Sequence, residues 1–217
     1  MGPALVFDLD GTLVDSRRDL ATAVNATRAD LGLDPLSLAE VVSKVGEGAR
    51  NLVRRSLPAE IEGPAFEAAF RAFGGHYAAV CLDTTLPYPG IGELLSRLAG
   101  RTPLAVLTNK PEATSRAILE GLGLASLFAE IVGGDTLPAR KPDPVGIVHL
   151  GERFGRAPAS LVLVGDSAID EATARAAGCR FVLVEWGFAS PEERVRLAAD
   201  ARAADAGELE AAIGRLL

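Results

Sequence analysis

Short apolar runs without the in–out alternation of a half-solvated strand recur along this chain. They are "LVF" at residues 5–7, "PLAVL" at 103–107, "LVLV" at 161–164 and "FVLV" at 181–184, with a shorter one in "AEIVGGD". Strands of this kind are buried on both faces, which a parallel sheet covered by helices on each side provides. Helical patterns separate them: one opens at Pro111 and stops near Gly121 to Gly123, one runs over about 143–154, and "DEATARAAG" follows. Ser190-Pro191 starts another, and "DAGELEAAIGRLL" ends the chain as a last helix. Strands alternating with helices predict an α/β fold, a doubly wound, Rossmann-like parallel sheet.

One stretch departs from that alternation. Ser16 with Asp19 has the form of a capping box, and Leu20, Val24, Thr27 and Leu31 follow at helical spacing up to Gly32. Ser37 with Glu40 begins a second helix, interrupted by "KVGEGARN" and resumed through Leu52 to Leu57. Phe66, Phe70, Phe73 and Tyr77 then share one helical face, a spacing that reads as helix-packing core before it reads as a ligand wall. The expected organisation is an α/β core of residues 1–15 and 83–217, with an all-helical insert at 16–82. His76 and His149 lie on helical patterns away from the strand ends and are expected to be structural.

In open parallel sheets, ligands bind beyond the carboxyl ends of the strands. Those ends read Asp8-Leu9-Asp10-Gly11-Thr12, Thr108-Asn109-Lys110 and Gly165-Asp166-Ser167, with Asp170 a turn further on. The loop "ARKPDP" brings Lys141 to the same edge. A carboxylate at the end of a buried strand is costly unless it is paired, hydrogen-bonded or bound to metal. An all-oxygen carboxylate set suits Mg²⁺, which binds few carboxylates and keeps substrate phosphate and water as further ligands. A hydroxyl, an ammonium and the free N–H groups of a glycine turn suit phosphate oxygens. Arginine dominates the basic residues: only Lys44, Lys110 and Lys141 are lysines, and two of the three fall at this edge. Lys110 reads either as phosphate-proximal or as a solvated residue at a helix start, and Ser167 as a helix cap.

Four motifs in this order, "DLDGTLVDS" at 8–16, "LTNK" at 107–110, "GGDTLPARKPDP" at 133–144 and "VGDSAIDEATARAAG" at 164–178, resemble the haloacid dehalogenase-like phosphohydrolases. Within them the chain resembles the phosphoglycolate phosphatase-like group, whose insert is a small helical cap. The resemblance implies a Mg²⁺-dependent phosphatase working through an aspartyl-phosphate, with Asp8 as nucleophile and Asp10 as acid/base. It implies phosphate binding by Gly11, Thr108, Asn109 and Lys141, and metal binding by Asp8, Asp10 and Asp166, with Ser167 and Asp170 behind them. The cap break "SKVGEGARN", with Lys44, Gly46, Gly48 and Arg50, is expected to read the non-phosphate end of the substrate. The tail segment "AADARAADAGEL" lacks the Val/Ile-rich run usual in the family, which leaves a final sheet strand open.

Competing classes are weaker. A phosphoacceptor signalling domain would be smaller and would carry no helical insert. Carbon–halogen hydrolysis needs neither Asp10 as a proton donor nor Asp166 for a metal. A sugar-phosphate phosphatase or phosphomutase uses the same residues and stays open. The formal net charge of -7 disfavours nucleic acid and anionic membranes as partners. Two cysteines without metal or redox spacing, and no long apolar run, fit a cytoplasmic enzyme of small phosphorylated metabolites.

Overall fold

A computed structural model describes residues 3–216, so the expected outer domain limits at 1 and 217 lie outside the described residues. Strand β1 (Ala4–Phe7) leads through a turn into β2 (Val14–Asp15) and then four helices: α1 (Arg17–Asp30), α2 (Leu38–Val42), α3 (Ala49–Ser56) and α4 (Gly63–Val80). The chain returns as β3 (Leu86–Pro87), which pairs antiparallel with β2 and closes the neck of the insert. There follow α5 (Ile91–Leu98), β4 (Leu104–Leu107), α6 (Glu112–Gly121), β5 (Glu130–Val132), α7 (Val145–Phe154), β6 (Leu161–Gly165) and α8 (Ala168–Ala177). The last elements are β7 (Arg180–Val184), α9 (Pro191–Arg196), β8 (Ala201–Ala203) and α10 (Ala206–Leu216).

Six of the strands form one parallel sheet in the order β5-β4-β1-β6-β7-β8. The connection after β5 returns across β1 to β6, so the crevice at the carboxyl end of β1 is the switch point where such sheets bind ligands. The double-sided burial predicted for the strands is present. Leu5 and Phe7 pack with Ile91, Leu94, Leu209 and Ile213 on one face, while Ala4 and Val6 pack with Ile147, Leu150 and Leu163 on the other. The insert has its own core of Leu20, Val24, Leu52, Phe66, Phe73 and Tyr77, joined by Ile118 of α6. Among the described residues no helix is long and apolar enough to cross a membrane.

Three local readings change. The tail does add a sixth strand: Ala201–Ala203 pairs with Val182–Val184, because a strand at the sheet edge takes its backbone pairing from β7 and needs no Val/Ile of its own. Helix α5, amphipathic through Ile91, Leu94, Leu95 and Leu98, was not anticipated behind the Pro-Gly turn that precedes it. Ser37 and Glu40 do form their capping box, but Ser16 and Asp19 do not. Ser16 Oγ instead donates to Asp10, and the Asp19 carboxylate turns toward the far end of the insert.

There Asp19, 2% exposed, accepts from the backbone N–H and hydroxyl of both Thr84 and Thr85 at 2.5–3.1 Å. This one carboxylate ties the entry of the insert to its exit. Burial pushes its pKa up, but the Thr84 and Thr85 hydrogen bonds outweigh that and hold it below the ordinary range. A depressed carboxylate stabilises the fold above its unfolded pKa and loses that contribution as pH falls through the folded value. Asp19→Ala is therefore expected to cost on the order of 3 kcal/mol at pH 7 in urea denaturation, with the deficit shrinking below about pH 4. An unchanged midpoint at pH 7 would show that the clasp contributes nothing.

Candidate active site

The residues predicted at the strand ends converge. Asp8 and Asp10 follow β1, Thr108 to Lys110 follow the neighbouring β4, and Asp166 and Ser167 follow β6 on the other side. All of them line one cavity of about 970 Å³ between the sheet edge and the helical insert. Lys141, from the loop before α7, lies beneath it, 4% exposed.

Its ammonium is 2.9 Å from Asp8 Oδ1 and donates to Asp170 Oδ1 at 2.6 Å. Lys141 thus bridges Asp8 and Asp170 from beneath the cavity. Asp170 Oδ2 accepts from the Ser167 N–H and hydroxyl, and Ser167 Oγ accepts from the Asp170 N–H, a capping box that locks the start of α8. Asp166 accepts from the Phe188 N–H at 2.6 Å and more loosely from the Thr12 hydroxyl at 3.4 Å. Gly11 makes room for it: with φ +83, a Cβ there would fall 2.4 Å from Asp166 Oδ2.

Oxygens of Asp8, Asp166 and Asp170 lie within 4.8 Å of one another. Burial pushes Asp8 up to about 6, with Lys141 pulling it down and Asp170 pushing it further. Burial and the Asp170 and Asp8 charges push Asp166 up to about 8. A hard divalent cation with oxygen ligands would reverse both trends. The three carboxylates therefore fit a metal.

The expected metal set changes in one member. The Asp10 carboxylate does not join the cluster: Ser16 donates to Oδ1, and Lys110 Nζ reaches both oxygens at 2.9 Å. Lys110 is buried, against the reading of a solvated helix start, and also donates to Tyr77 Oη at 2.7 Å. Asp170, expected behind the metal set, belongs geometrically within it.

The expectation for the insert needs correction. Gly46 and Gly48 line the cavity, but Lys44 and Arg50 do not. Lys44 curls back onto the Glu40 carbonyl, and Arg50 pairs with Glu67 while stacking over Phe66 and Phe70. The insert cations at the cavity are Arg17, Arg55 and Arg71. Arg17 pairs with Asp15 and Arg55 with Glu47, whereas Arg71 has no ion pair among the described residues. The aromatic stripe serves both purposes: Phe66 is core, while Phe70, Phe73 and Tyr77 also face the cavity. His76 and His149 pair with Asp30 and Glu130, away from the cavity.

Sequence reasoning missed the loop after β7, which supplies the Phe188 N–H to Asp166. The signal was the "EWG" break at the end of the fourth long apolar run. It also missed Arg71, since nothing in the spacing says which side of α4 faces the cavity.

Comparison with known proteins places residues 5–184 under the family described as haloacid dehalogenase-like hydrolase. A phosphoglycolate phosphatase of Chromobacterium violaceum is 46% identical over 191 residues, covering 86% of each chain. One of Rhodospirillum rubrum is 44% identical over 87% of this chain and 81% of its own. Among solved structures, a predicted phosphoglycolate phosphatase from Haemophilus somnus superposes with a TM-score of 0.91 at 32% identity, over 96% of both chains.

The raised carboxyls make a prediction of definite sign. An acid whose folded pKa is raised takes up a proton on folding, so stability falls as pH rises from its unfolded to its folded value. For Asp166 that window runs from 3.8 to about 8. In chelator, Asp166→Asn is expected to raise the melting temperature by roughly 5 °C at pH 8 and by much less at pH 5. Equal melting curves at pH 8 would mean that the cluster carries no charge strain.

Proposed function

Because the chain belongs to the haloacid dehalogenase-like hydrolases, we propose that it hydrolyses a small phosphate monoester, 2-phosphoglycolate, using Mg²⁺ and an aspartyl-phosphate intermediate. The observation that carries the reaction class is the largely buried Asp8 carboxylate, set between Lys141 and two further carboxylates at the switch point. The named substrate rests on the phosphoglycolate phosphatases to which the chain is similar.

Asp8 and Asp166, with Asp170, would hold the Mg²⁺, which when bound supplies the positive charge that lets a carboxylate approach a phosphate dianion. The remaining work falls to the chain. Asp8 attacks phosphorus as the bond to the leaving oxygen breaks, forming an acyl-phosphate and splitting one hard step into two. Asp10 gives a proton to the departing alkoxide, then takes one from the water that releases phosphate and restores Asp8. Ser16 and Lys110 orient that carboxyl through its two oxygens. The Thr108 hydroxyl, on the cavity wall, faces the transferring phosphoryl oxygens; Gly11, expected to bind phosphate, instead gives its N–H to the Val14 carbonyl and only makes room for Asp166. Lys141 keeps Asp8 ionised and offsets charge as the phosphoryl group arrives.

The helical insert then acts as a cap over the site. We assign Arg71 to meet the substrate carboxylate, since Arg17 and Arg55 already face acids. The cavity volume favours a second reading. At about 970 Å³ it lies at the upper end of the roughly 300–1,000 Å³ of drug-sized ligand sites, which also suits a small sugar phosphate.

Phosphate release from phosphoglycolate is expected to require Mg²⁺ and to stop in chelator. Asp8→Asn should lower kcat by about a thousandfold or more with the fold retained. A colorimetric phosphate assay over a panel of monoesters, with and without chelator, tests this; sugar phosphates outrunning phosphoglycolate would select the second reading. Arg71→Ala should cost roughly ten- to a hundredfold in kcat/KM for phosphoglycolate but no more than about twofold for phenyl phosphate. Equal small losses on both substrates would remove Arg71 from recognition.

A further inference from the structure

Asn109 sits between the residues that face phosphate, yet both hydrogens of its amide are already used. Its Nδ2 donates at 3.0 Å to the Gly46 carbonyl and at 3.0 Å to the Lys141 carbonyl. The side chain is 7% exposed, and Oδ1 is buried without a hydrogen-bond partner. Rotating the amide would set Oδ1 against two carbonyl oxygens, so its orientation is fixed by the acceptors around it. In this orientation the side chain has no hydrogen to offer a phosphate oxygen.

The two acceptors belong to different parts of the molecule. Gly46 is on the turn between α2 and α3 of the insert, and Lys141 is the residue whose ammonium faces Asp8. The turn lies close on the β4 loop: a Cβ on Gly48, φ +88, would come within 3.1 Å of the Asn109 carbonyl oxygen and 3.3 Å of Arg140. The next residue, Lys110, grips the other side of the insert through Tyr77 Oη on α4 while facing Asp10. Two consecutive side chains thus hold the two walls of the cavity mouth to the loop that carries Thr108.

We propose that Asn109 is a positioning residue, a latch that docks the 43–48 turn of the insert onto the catalytic edge and braces the Lys141 loop, and that its amide is not a phosphate ligand. The proposal rests on the phosphatase reading only for what the docking serves. With the latch intact the turn forms one wall of a chamber already shaped for substrate. Without it the insert keeps its own core but swings on the β2–β3 neck, and the recognition groups lose their register with Asp8.

The test uses the full chain with Mg²⁺, comparing wild type, Asn109→Ala and Gly48→Ala. The second variant pushes the turn off the β4 loop but leaves the amide bond to the Lys141 carbonyl in place. Hydrogen exchange of amides 44–52 is expected to quicken by about tenfold in both variants, with β1 and β6 unchanged. Inorganic phosphate should bind by calorimetry within about twofold of wild type in Gly48→Ala, while kcat/KM for phosphoglycolate falls by about tenfold. Unchanged exchange in both variants would overturn the latch. Weakened phosphate binding in Asn109→Ala without faster exchange would overturn it too, returning the amide to the phosphate site. Exchange and phosphate binding need no turnover, so phosphoglycolate proving a non-substrate would sink the proposed function and leave the latch tested.

Discussion

Three carboxylates packed largely out of water at one edge of the sheet are the constraint around which this structure is arranged. Asp8, Asp166 and Asp170 bring oxygens within 4.8 Å of each other, and their mutual repulsion is not relieved by solvent. Lys141 answers two of them from a nearly fully buried position. Burial alone would lower its pKa, but the Asp170 and Asp8 charges outweigh that and hold it protonated. The Phe188 N–H answers the third, Asp166, and the Ser167 cap takes the other oxygen of Asp170. Buried ion pairs seldom add net stability, because the desolvation cost consumes the Coulombic gain. A chain that keeps such a cluster at a sheet's switch point has fold stability set against chemistry.

The sheet decides where that tension can be held. β1 is flanked by β4 and β6, so its carboxyl end is walled by two other strand ends and roofed by whatever its own connection builds. Here that connection is the helical insert, which returns to the sheet through the short β2–β3 ribbon and the Asp19 clasp on Thr84 and Thr85. The insert is therefore hinged near the very residues it covers. Two further polar contacts with the edge, Gly46 on Asn109 and Tyr77 on Lys110, go to the single loop after β4. In the proposed reaction, substrate recognition and phosphate handling would therefore share a backbone segment, and a displacement of one would be felt by the other.

Asp10 shows how the two carboxylates of the first motif part company. They are two residues apart on the chain, yet Asp8 faces Lys141 and the metal-fitting cluster while Asp10 faces Ser16 and Lys110. Separate surroundings are what would allow one acid to attack and its neighbour to move protons in the proposed reaction. The three lysines of the chain divide accordingly. Two are buried as partners of these acids, and the third, Lys44, is half-exposed and bonded to a carbonyl of the helix just before it.

The sequence by itself determined the fold class and the composition of the catalytic edge. Apolar runs buried on both faces leave few architectures, and in a parallel sheet the residue after each run must lie at one edge. Asp8, Thr108 and Asp166 were legible for that reason, and so was the helical insert, whose period differs from that of the strands. What only the tertiary structure decided are the contacts across long separations. These include Asp19 bound to Thr84 and Thr85 rather than capping with Ser16, and the Asn109 amide spent on two carbonyls. Others are Arg71 facing the cavity in place of Arg50, and β8 formed by alanines on a neighbour's ladder. Local pattern states which groups a segment can offer; which partner takes each is settled by the packing of elements far apart in the chain, because buried polar groups must be matched by whatever the fold brings within reach.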